Sequence, residues 1–150
     1  MRRAAVVVLV TAAIVAGSAT GAAASDSADA FAAVKTVIGQ LARGDAADAW
    51  GALAPSQQAI VSQAAYEACR AQSGRLDLRR VELVAARNVR YRVPGTRPSV
   101  PAMQVDVKVT LTSGRHETIR THTVKVGSTW RYTLAQGEVT RCAAATTPTS

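Results

Sequence analysis

The sequence is poor in aromatic residues and in lysine. Aromatic residues make up 4% of the 150 positions, and the basic side chains are fifteen arginines but only three lysines. Against ten acidic residues this gives a formal net charge of +8. No repeat runs through the chain and 48% of it is hydrophobic, which excludes collagen-like, coiled-coil and disordered chains. The length allows one domain at most.

Motifs that identify common enzymes are also absent from the sequence. There is no nucleophile elbow, phosphate-cradling glycine loop, zinc-metalloprotease helix or calcium loop. The two histidines, His116 and His122, lie on one predicted strand, about 20 Å apart at roughly 3.3 Å per residue. They cannot share a metal ion, so we expect neither a metal site nor a cofactor.

The N-terminus has the pattern of a secretory signal. Arg2-Arg3 is followed by an apolar stretch from Ala4 to Ala16 and by the small residues Ala22-Ala23-Ala24, which is typical of a signal peptide cleaved near Ala24. The stretch is shorter than the roughly 18 residues of a membrane span, although an uncleaved anchor is the alternative. We therefore expect a secreted or envelope-exterior protein without a transmembrane anchor.

This interpretation divides the chain into three parts. Residues 1–24 form the signal peptide, residues 25–142 form a single α+β domain, and residues 143–150, which are rich in alanine and threonine, form a disordered tail.

The two cysteines agree with export. Cys69 and Cys142 are the only cysteines, and a pair in an exported protein is most simply a disulfide. Free thiols are the alternative, whereas a zinc site and a C-x-x-C redox motif are excluded by the lack of further ligands and by the spacing.

Three helices are predicted before any strand. The first has an apolar stripe at Phe31, Val34, Ile38 and Leu41, with Ser27 or Asp29 as its N-cap. The second follows Asp45 as N-cap and stops at Pro55, and the third is capped by Ser56 and closes at Ser73-Gly74.

After Gly74 the hydrophobic period changes from 3.6 to 2, which predicts four antiparallel strands. In the first, Val81, Leu83, Ala85, Val89, Tyr91 and Val93 share one face, and Arg80, Glu82, Asn88, Arg90 and Arg92 share the other. The next three strands span Met103 to Leu111, about Arg115 to Val126, and Trp130 to Leu134, with turns at Ser113-Gly114 and Gly127-Ser128. Helices followed by such a meander predict an α+β domain.

The order of these elements resembles the nuclear transport factor 2-like (cystatin-like) superfamily, in particular its small exported bacterial members. The likeness lies in Phe31-Ala-Ala-Val-Lys-Thr-Val-Ile-Gly-Gln-Leu41, Gly44-Asp-Ala-Ala-Asp-Ala-Trp50, Leu53-Ala-Pro-Ser-Gln-Gln58 and Gly127-Ser-Thr-Trp130-Arg-Tyr132. The resemblance implies three N-terminal helices packed on a curved four-stranded sheet that forms a cone, whose mouth can hold a small ligand.

Some members of the superfamily are isomerases or hydrolases that use carboxylates inside the cone, and many only bind or assemble. Here Asp106 and Glu82 alternate with basic residues on the polar side of their strands, which does not suit a desolvated general base. We therefore nominate no catalytic residue. The expected function is a non-enzymatic binding or interaction domain, with a cone-type enzyme acting on a small apolar ligand as the alternative.

Two groups of residues are candidates for binding. The aromatic residues and one histidine can line a pocket for a small apolar ligand, or pack in the core: Trp50, Tyr66, His122, Trp130 and Tyr132. The basic residues of the strands form either a solvated sheet face or a contact with an anionic envelope component: Arg80, Arg90, Arg92 and Arg120. Nucleic acid is not expected as a partner, because the chain has no recognisable binding motif.

Overall fold

The computed structural model describes residues 19–145, with side chains from residue 23 onward. It contains four helices, then four strands, then a fifth helix: α1 (Ala19–Arg43), α2 (Ala46–Gly51), α3 (Pro55–Gln58), α4 (Gln63–Gln72), β1 (Leu78–Tyr91), β2 (Val100–Leu111), β3 (His116–Val126), β4 (Thr129–Thr133) and α5 (Gln136–Ala144). The strands form one antiparallel sheet in the order β1-β2-β3-β4. The predicted α+β class and the four-stranded meander are confirmed, whereas the described residues contain five helices and not three.

The first helix begins earlier than predicted. It includes Ala19, and Ser27 is not its N-cap because the Ser27 hydroxyl donates to the Ala23 carbonyl one turn back in the helix. The alanine-rich sequence favours helix throughout this segment. Cleavage near Ala24 would leave a helix from residue 25 to Arg43. Residues 1–18 of the expected signal peptide lie outside the described residues.

The third predicted helix is in fact two. A short helix, α3, ends at Gln58, and α4 starts after Ser62, whose hydroxyl accepts a hydrogen bond from the Ala65 amide at 3.2 Å. The prediction of Ser56 as the cap was therefore wrong. Asp45 does precede α2, but its carboxylate accepts from Arg43 Nε at 2.8 Å and makes no cap bond.

The final helix, α5, was not predicted. Val139 and Cys142 are its buried residues, spaced as one helical face, and Glu138 Oε2 accepts from the Ala135 amide in half of a capping box. The helix includes Ala143 and Ala144, the first two residues of the expected tail, and residues 146–150 lie outside the described residues.

A β-bulge in β1 corrects the predicted faces of that strand. The register with β2 shifts between Leu83 and Ala85, so Val84 has no opposing residue. One extra residue sends every later side chain to the opposite face. The alternation predicted that Ala85 and Tyr91 share a face with Leu83. This prediction was wrong, because both lie on the opposite face from Leu83.

The sheet has a helix face and an outer face. On the helix face, Val105 and Val107 of β2 pack with Val34 and Ile38 of α1 in one buried cluster. The outer face carries the alternate residues of β2, including Asp106. Among residues 19–145, no helix is both long and apolar enough to cross a membrane.

A second buried cluster joins the helices around the disulfide. Cys69 of α4 and Cys142 of α5 are bonded, with Cα atoms 5.0 Å apart, and both are buried beside Leu53, Tyr66 and Leu134. The predicted disulfide is confirmed. It attaches α5 to α4, which places the start of α5 close to the sheet.

Candidate functional site

A cavity of about 380 Å³ lies beside the first half of β3. It exists because β4 is short. The five residues of β4 pair only with His122 to Val126, so within residues 19–145 no strand lies beyond the part of β3 from His116 to Thr121. The chain turns away after Thr133 and returns as α5, leaving a space between the β3 edge and the helices.

Gln57 fixes the point at which the chain leaves the sheet. Its side chain is fully buried, donating from Nε2 to the Leu134 carbonyl at 3.0 Å and accepting from the Leu134 amide at 2.6 Å. The amide of Gln57 thus pairs with Leu134 as a neighbouring strand would. Two residues before Leu134, the Tyr132 amide donates to the Ala52 carbonyl and the Tyr132 carbonyl accepts from the Ala54 amide. The α2–α3 connection therefore covers the edge of β4 that faces away from β3.

The cavity has an apolar wall from the helices and the sheet. This wall is formed by Ile38, Leu41, Leu76, Ile119 and Tyr132. Burial, and then the charge of nearby Glu138, raise the pKa of Tyr132 to about 12, against a hydrogen bond with Thr121. Tyr132 is therefore a neutral phenol at physiological pH.

An ion pair between α4 and α5 forms another side of the cavity. Arg70 donates to Glu138 Oε1 at 2.7 Å, and its guanidinium lies 5.0 Å from the centre of the Tyr66 ring. Both charged side chains are mostly buried, with 16% and 29% of their surface exposed. Burial raises the pKa of Tyr66, and the positive charge of Arg70 opposes this.

A stacked pair of rings marks the outer-face side. Tyr91 and His122 lie parallel with ring centres 3.8 Å apart, and both line the cavity. Burial, and then the charge of Arg120, lower the pKa of His122, partly offset by Asp106. The imidazole is therefore neutral at neutral pH, as an uncharged ring stacked on a tyrosine.

The carboxylate whose charge acts on His122 is held by hydrogen bonds. Asp106 is 9% exposed and accepts from Arg120 Nε at 2.9 Å and from Gln104 Nε2 at 3.2 Å. The bond from Arg120 keeps the pKa of Asp106 below its usual value, aided by the charge of Arg87, although burial acts in the opposite direction. Asp106 is thus a structural anion that fixes Arg120, which lines the cavity.

The structure brings together only part of the predicted pocket. His122 and Tyr132 line the cavity, but the other three aromatic residues do not. Trp50 donates from Nε1 to the Val61 carbonyl at 2.8 Å, Tyr66 is fully buried behind Arg70, and Trp130 lies under the ammonium group of Lys125.

The four basic candidates do not form one patch. Arg80 and Arg120 project from the outer face, where each pairs with a carboxylate, whereas the bulge places Arg90 on the helix face. There Arg90 donates to the Ser99 carbonyl at 2.6 Å. Arg92 follows the end of β1 and is exposed.

Sequence reasoning missed Arg70, Glu138, Gln57 and Tyr91 at this site. Arg70 and Glu138 are 68 residues apart, and the predicted disulfide was the one signal that could have joined their two segments. A second cavity of about 630 Å³ lies between α2 and α4, and Leu41, Arg70 and Leu76 line both spaces.

The described part of the chain contains no cluster of three or more histidine, cysteine or acidic residues suited to a metal ion. Comparison of the sequence and fold with protein-family models, characterised proteins and solved structures gives no match.

Proposed function

We propose that this protein is an exported, non-enzymatic binding domain with a cone-type fold of the nuclear transport factor 2-like kind, and that its ligand occupies the cavity beside β3. The observation that carries the proposal is the cavity itself. Its volume of about 380 Å³ and its apolar wall fit the usual range and lining of ligand sites, and Arg120, His122 and Tyr91 provide a polar side that can orient a ligand.

The state of the charged groups supports binding over catalysis. Glu138, a mostly buried carboxylate in the lining of the cavity, and Asp106, which holds the lining residue Arg120, are each paired with arginine. A general base needs a pKa near the working pH, whereas the pKa of Asp106 is lowered. These features disfavour the cone-type enzyme.

Export is supported by the disulfide between Cys69 and Cys142, since such bonds persist in oxidising compartments. It is also supported by the signal-like pattern of residues 1–24. The oxidised protein should therefore be used in every binding experiment.

The fluorescent probe anilinonaphthalene sulfonate tests the proposed site. We expect one saturable site on the folded protein, and we expect Ala135→Trp to abolish it, because Ala135 is exposed and borders the cavity. The matched control is Ala71→Trp, an exposed position bordering only the larger cavity, which should leave the affinity unchanged. Loss of binding in the control variant alone, or no saturable binding to the wild type, would contradict the proposed function.

A further inference from the structure

The cavity opens onto the unpaired backbone of β3. The Leu111 amide donates to the Arg115 carbonyl at 2.8 Å, so odd-numbered residues of β3 direct their backbone groups towards β2. Even-numbered residues direct theirs the other way, and the Thr133 hydroxyl accordingly donates to the His122 carbonyl at 2.8 Å. With β4 absent below His122, the N–H and C=O groups of Thr118 and Arg120 point away from the sheet.

The lining of the cavity agrees with an approach from this edge. Glu117, Ile119, Arg120, Thr121 and His122 all line it. Neighbouring residues of a strand point to opposite faces, so a cavity on one face would be lined by alternate residues only. Because both odd-numbered and even-numbered residues of β3 line the cavity, the cavity lies against the edge of the strand.

The other free edge of the sheet is protected against pairing. Along β1 the register with β2 is interrupted twice, between Leu78 and Arg80 and between Leu83 and Ala85. Bulges and charged side chains prevent unwanted strand pairing. The free half of β3 keeps a continuous register with β2 from His116 to Thr121 and contains no proline. The register and the sequence of this half of β3 therefore permit pairing with an additional strand.

Resting on the proposed function, we propose that the ligand is an extended peptide segment of another protein, which adds to the free edge of β3 as an antiparallel strand. Residues of the peptide opposite Arg120 and Thr118 point to the outer face, beside a guanidinium that is 62% exposed and the stacked His122. Residues opposite Ile119 point to the apolar wall. The segment should therefore alternate acidic and apolar residues, as also suits a chain whose net charge of +8 stays positive when Arg2 and Arg3 are removed with the signal peptide.

An acetylated and amidated hexapeptide with the sequence Glu-Leu-Glu-Val-Glu-Leu tests this proposal by titration calorimetry. In the proposed register, the glutamate amides donate to β3, and the leucine and valine amides face solvent. N-methylation of the glutamates should weaken binding by at least tenfold, whereas N-methylation of the leucines and valine should have little effect. The amide NMR signals of Thr118 and Arg120 should shift on binding.

A pair of protein variants tests the same contact from the other side. Thr118→Pro removes one edge donor whose N–H is not used by the sheet, and should weaken peptide binding about tenfold, which corresponds to roughly 1.4 kcal/mol. Thr118→Ala keeps the N–H and should bind as the wild type does. Thermal unfolding of both variants verifies that they are folded.

Each other outcome has a definite meaning. Equal binding of the two methylated peptides, or no peptide binding to a protein that still binds anilinonaphthalene sulfonate in the cavity, would overturn strand addition and leave the proposed function standing. Failure of the fluorescent probe as well would contradict both. Self-association of the wild type in sedimentation, abolished by Thr118→Pro, would assign the edge to a second copy of the chain and overturn the peptide partner.

Discussion

Replacement of Gln57 by alanine should destabilise the domain strongly. The side chain satisfies both backbone groups of Leu134, and both residues are fully buried. Each of the two buried groups left without a partner costs roughly 1 to 3 kcal/mol, so we expect a loss of about 2 to 6 kcal/mol. At roughly 4 °C per kcal/mol for a domain of this size, the midpoint of thermal unfolding should fall by about 8 to 24 °C.

The adjacent Gln58 provides the matched control. Its Nε2 donates to the Trp50 carbonyl at 2.9 Å in a partly exposed position, where water can replace it, so Gln58→Ala should cost only about 1 kcal/mol. Both variants are compared with the wild type by urea unfolding and calorimetry. A Gln57→Ala variant as stable as Gln58→Ala would refute the assigned role of Gln57.

A third variant tests the hydrogen-bond geometry. Gln57→Glu keeps an acceptor for the Leu134 amide but loses the donor to the Leu134 carbonyl, and it buries a charge at neutral pH. A protonated glutamic acid supplies both a donor and an acceptor. Burial would raise the pKa of this carboxyl above its unfolded value, so the stability of the variant relative to the wild type should improve as the pH falls through that raised pKa. A pH-independent difference would refute the pairing.

Three further predictions concern other parts of the fold. Loss of the disulfide through Cys142→Ser opens a loop closed over a separation of 73 residues and should cost about 4 kcal/mol, measured by urea unfolding. Gly95 has a positive φ of 87° and a Cβ there would collide with Ile60 Cδ1, so Gly95→Ala should lower the unfolding midpoint, and Ile60→Ala should partly restore it. Arg120 lowers the pKa of Asp106 from 3.8 in the folded protein, so the ionised carboxylate stabilises the wild type above pH 3.8. Asp106→Asn should therefore be less stable than the wild type above pH 3.8, and this difference should vanish as the pH falls through the lower folded pKa. A difference that persists in acid would contradict this.

The sequence was sufficient for α1 and the four strands because each has a periodic apolar pattern, whereas α5 was missed and α3 and α4 were predicted as one helix. The stripe of Val34 and Ile38 in α1 and the alternation of Val105 and Val107 in β2 both appear in the core as predicted. The disulfide was predictable because two cysteines in a chain with a signal-like N-terminus have one simple arrangement. These inferences depend on local pattern and compartment, not on how distant segments meet.

The candidate site depends on distant segments, and the sequence predicted little of it. The bulge at Val84 reverses the faces of Arg90 and Tyr91. The sequence did not predict this, because a single extra residue leaves no mark in the composition. From the sequence alone, Gln57 is expected to be an exposed helix residue, since its partner Leu134 is 77 residues away. The cavity arises from the early end of β4 and the position of α5, and neither changes the alternation of β3.

Hydrogen exchange of the free protein, followed by NMR at individual amides, tests the central claim that the cavity lies on an open strand edge. In β3, the amides of Ile119 and Thr121 should exchange slowly because they face β2, whereas those of Thr118 and Arg120 should exchange rapidly, and the alternation should stop at His122, from which β3 is paired with β4. Uniform protection of all these amides would show that the edge is already covered and would contradict the account.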